Sequence, residues 1–504
     1  MEGVDTVPSV YPGLSPTYFG NLKRRKCLYM GHHIADDNLN THNNSVANLL
    51  RGVGERVLYT DRNLTSCIQP ISGVFEKRLG SLKRTIVKSI GRQAPVTRNQ
   101  FAEFYKGPRR ATYDRAVASL VLKPICPRDS RLKTFVKAEK INFTLKSDPA
   151  PRVIQPREPR FNVEVGKYLR PLEHKMYDAV DLLFKSPTIM SKYNSTQSAK
   201  ILKQKFDQIH NCAVIGLDAS RFDQHVSEQA LKFEHSIYND IFRSPELAGL
   251  LQQQLKNFGI AVGCDGKFKY IKKGSRMSGD MNTSLGNKVL MCLMCFCYLE
   301  SLNIRYQFAN NGDDCLVFVR KSDIHKLNTL ESYFKDFGFN MKREAPVYNF
   351  EEVEFCQCKP LCSNGLWRMV RNVRTCLVKD CTSVNLGHDV ELFRRWLSDV
   401  AGCGLAFSAD VPVMGSFYRM LKRFGVEGKY EAHTSEFSAY RSMSGGVNLT
   451  SDTPDDYGRY SFWLGTGINP DAQIIIEEFF DKATWGGDKR QLINNIDYII
   501  THGK

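Results

Sequence analysis

The sequence predicts a mixed α+β fold whose chemistry lies at the ends of strands. An Asn-Gly step at residues 311–312 separates two strand-like apolar runs, which is a strong hairpin signal. A second apolar run, residues 214–217, predicts a buried strand that ends at Asp218. Apolar residues recur every three or four positions after residue 225, after residue 285 and through most of the chain beyond residue 365, which predicts helices in those regions.

Length and composition indicate a globular chain with a polyanionic partner. At 504 residues the chain is too long for one ordinary core, so two to four lobes are expected. The net charge of +17 favours nucleic acid as a partner first and an anionic membrane second. The longest uncharged apolar stretch, residues 289–299, is too short to cross a bilayer. The 15 cysteines are odd in number and mostly sit in apolar runs, which favours reduced thiols in a cytosolic compartment.

The first part of the chain divides into an arm, a helical segment and a basic segment. Residues 1–50 carry turn formers and little periodicity, so they are expected to form an extended arm over another lobe or a partly mobile segment. Residues 100–125 have a helical pattern. In the basic segment, residues 131–175, apolar and charged residues alternate at 153–154 and at 161–165, which predicts extended segments with basic side chains on one side.

Three aspartates are candidates for a divalent-metal site. Asp313 and Asp314 would lie at the tip of the predicted hairpin, and Asp218 at the end of the other buried strand. Carboxylates held so close repel one another unless a cation lies between them. Nucleotidyl transfer uses two divalent cations about 3.5–4 Å apart, and carboxylate oxygens suit Mg²⁺. The alternative is a solvated acidic turn with no ligand.

A second set of polar residues is suited to a sugar. Asp223 follows Asp218 by five residues and could face the sugar of a nucleotide; its other role is that of an acid at a helix N-terminus. The glycine-rich residues 274–286, which include Gly279, would let the backbone approach a nucleic acid. Ser278, Thr283 and Asn287 are small hydrogen-bonding groups able to distinguish a ribose 2′-hydroxyl. A capping loop without a ligand remains the alternative.

Three strings together resemble a known family. GLDASRFDQHVS around Asp218, GSRMSGDMNTSLGN from residue 274 and NNGDDC around Asp313 are similar to motifs A, B and C of the RNA-dependent RNA polymerases of plus-strand RNA viruses, in particular those of tombusvirus-like plant viruses. The resemblance implies a right hand with closed fingertips, an antiparallel palm sheet and a mostly helical thumb. It implies an N-terminal arm and fingers at 1–185, palm at 186–225, fingers at 226–282, palm at 283–365, and thumb and C-terminal region at 366–504.

The resemblance also implies roles for individual residues. Asp218, Asp313 and Asp314 would be catalytic and would bind Mg²⁺, with Mn²⁺ able to substitute and no organic cofactor. Asp223 and Asn287, assisted by Ser278 and Thr283, would sense the ribose. The basic segment resembles motif F, in which Lys137, Lys140 and Arg152 would contact the triphosphate. The expected RNA contacts are Arg157, Arg160, Gly279 and a motif E hairpin containing Phe355, Cys356 and Gln357.

Other expectations from the resemblance concern single steps of synthesis. Lys335 or Lys342 would supply the general acid of motif D; a surface lysine without a chemical role is the alternative for each. Initiation without a primer would need a stacking platform, for which the candidates are Tyr440, Tyr457, Tyr460, Trp463 and Trp485. A zinc site at Cys356, Cys358 and Cys362 is disfavoured by their spacing and by the lack of a nearby histidine.

The expected partners are an RNA template and product, nucleoside triphosphates, a viral auxiliary replicase protein and host factors. The expected location is the host cytoplasm, in replication complexes on intracellular membranes. Such replicases usually carry an N-terminal membrane anchor, so either this chain is the downstream part of a longer readthrough or frameshift product, or a partner supplies the anchor.

Two rival functions share part of this pattern. A reverse transcriptase uses the same two-metal chemistry, but it would need bulk at the sugar edge where this chain has the carboxylate of Asp223. A non-catalytic RNA-binding or assembly protein would account for the net charge of +17 and would have no metal dependence.

Overall fold

The computed structural model describes residues 2–7, 9–21, 27–31, 38–384, 386, 389–427 and 445–486. The fold mixes helices and strands, as the sequence predicts. The described helices are α1 (Val46–Val53), α2 (Val74–Ile90), α3 (Arg98–Glu103), α4 (Gly107–Leu122), α5 (Pro159–Phe184), α6 (Ser195–Asp207), α7 (Phe222–His225), α8 (Glu228–Phe242), α9 (Pro245–Gln252), α10 (Thr283–Ser301), α11 (Leu330–Asp336), α12 (Val373–Lys379), α13 (Val390–Ser408), α14 (Met414–Phe424), α15 (Asp456–Thr466) and α16 (Pro470–Lys482). The described strands are β1 (Thr17–Tyr18), β2 (Tyr29–Gly31), β3 (Leu39–Asn40), β4 (Leu132–Val136), β5 (Ile141–Asn142), β6 (Val153–Ile154), β7 (Cys212–Ala219), β8 (Lys256–Val262), β9 (Gly266–Lys273), β10 (Tyr306–Asn311), β11 (Asp314–Arg320), β12 (Met341–Arg343), β13 (Cys358–Ser363), β14 (Leu366–Arg371) and β15 (Thr382–Val384).

A four-stranded antiparallel sheet carries the three aspartates. Its strand order is β10-β11-β7-β12, and β10 and β11 form the predicted hairpin. Val317 and Leu217 pack into one core with α5, α8 and α10, while Val214 and Phe318 pack into another beside α6. Since both faces of the sheet are covered, its central strands are continuous apolar runs rather than alternating ones.

A second sheet holds part of the basic segment. Its strand order is β1-β9-β8-β4-β6, with β4 and β8 parallel. It packs against α1 through a small core that includes Leu49, Leu132 and Tyr270. Lys137 directly follows β4 and Arg152 directly precedes β6. The sheet therefore fixes the backbone positions of both residues.

The described part of the N-terminal segment, before α1 begins at Val46, contains the short strands β1, β2 and β3. Strand β1 pairs with β9, whereas β2 pairs with β15 more than 350 residues later in the chain. This segment therefore joins the second sheet to the C-terminal region.

In the described part of the chain after residue 365, most residues are helical, as predicted. Helices α13, α14 and α16 pack around Trp396, Phe417 and Phe480, which are buried. None of the helices in the described part of the chain is both long enough and apolar enough to span a bilayer.

The prediction of extended structure at 161–165 is wrong. These residues belong to α5, a helix of 26 residues that begins with Pro159 in its first turn. Phe161 and Val163 do alternate with polar residues, but Phe161, Val165, Leu169 and Leu172 also recur at helical spacing and are all buried. The helical spacing determines the structure because it continues from Phe161 to Leu172, whereas the alternation covers only five residues.

Candidate active site

Gly312 makes the turn at the tip of the hairpin. It has φ of +84°, which a glycine adopts without strain, while Asn311 is paired with Asp314 as the last rung of the ladder. Of the Asn-Gly step, only the glycine therefore uses the left-handed region. The buried Asn310 holds the turn, because its Nδ2 donates to the Gly312 carbonyl at 2.7 Å and its Oδ1 accepts from the Gly312 N–H at 3.2 Å. No pattern in the sequence indicates this role of Asn310.

The three aspartates lie at adjoining strand ends. Cys315 is paired with Leu217 on the two antiparallel central strands. Asp314 and Asp218, the adjacent residue on each strand, therefore lie opposite each other. Both line a cavity of about 200 Å³. Asp313 instead lines a neighbouring cavity of about 330 Å³, called here the nucleotide cavity, which also contains Asp223 and Asn287. The sheet therefore brings together the residues that the sequence predicted for the metal site.

The protein compensates the charge of the aspartates only in part, because the nearby charge of Arg152 lowers the pKa of Asp313 but does not offset the effect of burial. Burial raises the pKa of Asp313, and the nearby charge of Asp218 raises it further. Burial likewise raises the pKa of Asp314, followed by the charges of Asp313 and Asp218. Within the described residues, no three Asp, Glu, His or Cys side chains already form a closed ligand group. The donor set nevertheless fits a divalent cation, because oxygen ligands and excess negative charge are what Mg²⁺ and Mn²⁺ require.

Asp223 and Asn287 are hydrogen bonded inside the nucleotide cavity. Asn287 stands in the second turn of α10, and its Nδ2 donates to Asp223 Oδ1 at 2.6 Å. Burial raises the pKa of Asp223, while the bond from Asn287 and the charge of Arg276 act in the opposite direction. The short helix α7 carries Asp223, and the residue that precedes the helix, Arg221, has φ of +52°. The chain turns at Arg221 after it leaves strand β7, and Asp223 lines the nucleotide cavity.

Ser278 and Thr283 also line the nucleotide cavity, but their hydroxyls are engaged in the loop. Ser278 Oγ accepts from the Gln155 N–H at 3.3 Å. Thr283 Oγ1 lies 3.0 Å from the Met277 carbonyl and 2.9 Å from the Asp280 carbonyl, to which it can donate. These bonds hold the shape of the loop, and each hydroxyl oxygen can still accept a further hydrogen bond.

Besides the buried Arg276, four cationic side chains line the nucleotide cavity. Lys137 and Arg152 were predicted from the basic segment, and each is paired with Glu139, at 3.2 and 3.3 Å. Arg56 and Arg221 were not predicted as ligands. Burial, followed by the charges of Arg221 and Arg152, lowers the pKa of Arg56 to about 10. Crowded cations of this kind favour an anionic ligand.

Arg56 could not have been found from the sequence, because it lies about eighty residues before the basic segment and belongs to no motif. Its Nε donates to the Ala150 carbonyl at 2.9 Å, which fixes it beside Arg152. Arg221, within the motif A string, was visible but carried no signal of its own. Its guanidinium donates to the carbonyls of Glu55 and Thr60 and so holds the segment that carries Arg56.

Lys140 does not reach the nucleotide cavity. Its Nζ donates to the Lys379 carbonyl at 3.0 Å and lies 5.0 Å from the centre of the Trp396 ring. It lines a separate cavity of about 490 Å³ between the basic segment and the α12 region. The expectation that Lys140 contacts the triphosphate is therefore wrong, because its ammonium group is bonded to the carbonyl at the end of α12.

Arg157 and Arg160 are structural, which corrects their prediction as RNA contacts. Arg157 is buried, is paired with Asp280 and donates to Asn257 at 2.6 Å. Arg160 donates to Asp129 at 3.2 Å and to the carbonyls of Lys123 and Pro124 at 2.7 and 2.9 Å. Their guanidinium groups are occupied because the chain has already turned into the start of α5.

Gly279 approaches protein backbone, not nucleic acid. It forms an isolated bridge with Pro156, and a Cβ at residue 279 would lie 2.5 Å from the Pro156 Cα. The absent side chain therefore lets the glycine-rich loop pack on the basic segment.

The motif E hairpin lies later than predicted. Phe355 and Cys358 exchange backbone hydrogen bonds of 2.8 and 3.0 Å around a tight turn, in which Cys356 and Gln357 have φ of +53° and +59°. The hairpin itself is β13–β14. The buried Phe355 packs in the core beside α6, and it also lines the cavity of Asp218 and Asp314 together with Cys356 and Gln357. Turns with positive φ are predicted from glycine, so a turn made by Cys356 and Gln357 is not predictable from the sequence.

Neither cavity is lined by the two candidates for the general acid or by the described candidates for the stacking platform. Lys342 is paired with Asp218 across β12 and β7, while Lys335 stands on α11. Tyr457, Tyr460 and Trp463 form an exposed row on α15. Trp485 packs against Phe393 and Phe424, and Tyr440 lies outside the described residues. Cys356, Cys358 and Cys362 are free thiols that, in the described structure, form no zinc-type group with other ligands.

Comparison with known proteins agrees with this geometry. A profile of the family described as Viral RNA dependent RNA polymerase matches residues 16–486. The chain is 45% identical over 446 residues to an RNA-directed RNA polymerase of Pothos latent virus, covering 88% of this chain and 59% of the relative. It is 43% identical over 450 residues to that of Turnip crinkle virus, covering 88% and 58%. For Tomato bushy stunt virus the identity is 42% over 446 residues, covering 88% and 54%.

The chain thus spans somewhat more than half the length of these curated relatives. The family match covers almost the whole chain and includes every carboxylate and cation of the two cavities. The chain belongs to the family of viral RNA-dependent RNA polymerases.

Proposed function

We propose that this chain catalyses template-directed RNA synthesis from ribonucleoside triphosphates on an RNA template, for replication and transcription of a viral genome. The observation that carries the proposal is the placement of Asp218, Asp313 and Asp314 at adjoining strand ends, beside a cavity that holds both a sugar-binding pair and a cluster of cations. Family membership supports the same activity.

The carboxylates would hold Mg²⁺, with Mn²⁺ as a substitute. When bound, such ions supply positive charge at the attacking and leaving oxygens of phosphoryl transfer. The chain itself holds the carboxylates in place: the buried Asn310 fixes the hairpin turn, and Cys356 Sγ accepts from Asn311 Nδ2 at 3.2 Å beside Asp314.

The nucleotide would lie across the larger cavity. Its triphosphate would contact Lys137 and Arg152, joined by Arg56, because these cations are crowded and only partly neutralised. An arginine retains its charge and can bind phosphate with two parallel hydrogen bonds. The ribose would be recognised by Asp223 and Asn287, which are hydrogen bonded to each other in the same cavity.

The division into fingers, palm and thumb is part of the proposal. The sheet of β7 and β11 would be the palm, the sheet of β4 and β8 the fingers, and helices α13–α16 the thumb. The pairing of β2 with β15 and the bond from Lys140 to Lys379 join the proposed fingers to the proposed thumb. Both contacts support closed fingertips.

The proposed setting follows the family. The template and product RNA would contact the cationic surfaces, and an auxiliary replicase protein and host factors would complete a complex on intracellular membranes of the host cytoplasm. Initiation without a primer is proposed as well, with the exposed row of Tyr457, Tyr460 and Trp463 as one candidate platform.

Asp313→Asn tests the proposal. The variant keeps the shape of the side chain and removes one charge, so single-nucleotide incorporation on an RNA primer–template with Mg²⁺ should fall about 10³-fold or more. Affinity for the RNA should change little, because the phosphates are bound by cations elsewhere. The matched control is Asp114→Asn, which removes an exposed carboxylate paired with Arg110 on α4. Undiminished incorporation by Asp313→Asn would refute the proposed chemistry.

A further inference from the structure

A buried ion pair adjoins the proposed ribose site. Arg276 and Glu234 are both completely buried, and Arg276 Nη2 donates to Glu234 Oε2. The other carboxylate oxygen, Glu234 Oε1, accepts from the Tyr238 hydroxyl at 2.8 Å and from Asn282 Nδ2 at 2.7 Å. Because both oxygens are bonded, the carboxylate of Glu234 cannot turn away from Arg276.

The same arginine contacts the amide of Asn287. Arg276 Nε donates to Asn287 Oδ1 at 3.1 Å, and Asn287 Nδ2 donates to Asp223 Oδ1 at 2.6 Å. The backbone N–H of Arg276 also donates to the Asp223 carbonyl at 2.8 Å. A continuous set of hydrogen bonds therefore runs from the buried Glu234 to the carboxylate in the nucleotide cavity.

The donor-only chemistry of arginine determines which way the amide faces. A guanidinium has no acceptor, so it can bond only to the oxygen of Asn287. The reversed amide would place its NH₂ group against the guanidinium and its oxygen against the carboxylate of Asp223. With the observed orientation, Asp223 Oδ2 and the second N–H of Asn287 have no hydrogen-bond partner among the described residues.

Stability alone does not account for this arrangement. Removing two charges from water costs several kcal/mol, and an apolar pair of similar volume is often no less stable. Arg276 Nη1 is buried without a hydrogen-bond partner in the described part of the chain, which adds a further cost. A Cβ at Gly286 would overlap Glu234 Oε1 and Arg276 Nη2, so α10 must have a glycine where it passes the pair.

We infer that Arg276, held by Glu234, is a positioning residue for ribose selection: it orients Asn287 so that one acceptor on Asp223 and one donor on Asn287 face the 2′-hydroxyl. This inference rests on the proposed polymerase function. A 2′-hydroxyl both donates and accepts, so it satisfies both groups, whereas a deoxyribose leaves both unpaired. Without Arg276 the amide can rotate, and the preference for ribose weakens.

Arg276→Lys provides the test. Lysine retains the charge opposite Glu234 but has no nitrogen at the position of Nε. The measurement is kcat/KM for UTP and for dUTP on one RNA primer–template, and we expect the UTP/dUTP ratio to fall at least tenfold. Asp223→Ala, which removes the carboxylate itself, marks the full loss of preference. A role in folding alone would lower both kcat/KM values together and leave their ratio unchanged.

The control is a second buried pair of the same kind. Arg368 and Asp410 are each about 1% exposed and lie in the C-terminal region, away from the nucleotide cavity. Arg368→Lys should leave the UTP/dUTP ratio within twofold of wild type. An unchanged ratio in Arg276→Lys, or an equal fall in Arg368→Lys, would overturn the inference while leaving the proposed function intact.

Two further outcomes keep the test decisive. If thermal unfolding shows that Arg276→Lys does not fold, the isosteric Glu234→Gln takes its place; its ratio should fall at least threefold, and an unchanged ratio overturns the inference. If wild-type chain makes no RNA from UTP, the proposed function fails and the inference fails with it.

Discussion

The hairpin tip and the basic segment are both rich in charge, yet only the tip places all of its predicted site residues where the sequence indicates. The basic segment does so for Lys137 and Arg152 but not for the others. At the tip, Asp313 belongs to the two-residue turn and Asp314 begins the strand that follows it, so backbone geometry fixes their direction. In the basic segment, neighbouring cations point to different surroundings: Arg152 lines the nucleotide cavity, Lys140 contacts the Lys379 carbonyl, and Arg160 is held beside α5. A high density of positive charge in a sequence therefore predicts that the ligand is an anion, but not which cations bind it. The ends of predicted strands indicate where individual site residues lie.

Arg152 and Arg160, only eight residues apart, offer the largest contrast within the basic segment. Arg152→Ala should raise KM for the nucleoside triphosphates about 10- to 100-fold, because it removes a charge-assisted contact to phosphate. Arg160→Ala should leave KM within about twofold and instead lower the free energy of unfolding by about 1–3 kcal/mol, since its buried acceptors lose their donor. Steady-state kinetics and thermal unfolding of the two variants measure both effects. If Arg160→Ala raised KM as much as Arg152→Ala, the division of the segment would be wrong.

A smaller effect separates the hairpin tip from ordinary surface acids. Burial and the charge of Asp218 raise the pKa of Asp313, so the ionised carboxylate disfavours the folded chain relative to the unfolded one. That raised pKa contributes stability only at pH below the usual range of an aspartate, and the contribution is lost as pH rises through the folded-state pKa. Asp313→Asn should therefore raise Tm by about 1–2 °C at pH 8 in the presence of a chelator.

The difference in Tm between wild type and Asp313→Asn should shrink as pH falls toward the pKa of the carboxyl group, because the wild-type side chain then becomes neutral too. Thermal unfolding across pH 5–8 measures it. Asp114→Asn, at an exposed position, should show no such gain. A lower Tm for Asp313→Asn at pH 8 would contradict the view that the ionised carboxylate of Asp313 destabilises the folded chain.

Much of the site was predictable because it depends on local rules. The turn at Gly312, the buried strand that ends at Asp218 and the helical face that carries Asn287 each follow from a few adjacent residues. Their mutual proximity followed from the resemblance to polymerase motifs. The four-stranded sheet and the helical region after residue 365 were predictable for the same reason.

The rest depended on contacts between distant segments, which a single sequence does not contain. Arg56 reaches the nucleotide cavity because Arg221 holds the segment around it through backbone carbonyls. Arg157 was expected to contact RNA, but its guanidinium forms an ion pair with Asp280, more than a hundred residues later in the chain. The turn at Cys356 uses non-glycine residues in the left-handed region, for which sequence rules expect glycine.

The most direct test of the account is a double-mutant cycle between Asp218→Asn and Asp313→Asn, read out as the rate of single-nucleotide incorporation at saturating Mg²⁺. If the two carboxylates serve one shared metal centre, each single variant should lose about 10³-fold or more, and the double variant should be little slower than either, since groups that act as a unit are not additive. Losses that multiply in the double variant, or a single variant that retains the wild-type rate, would contradict the account.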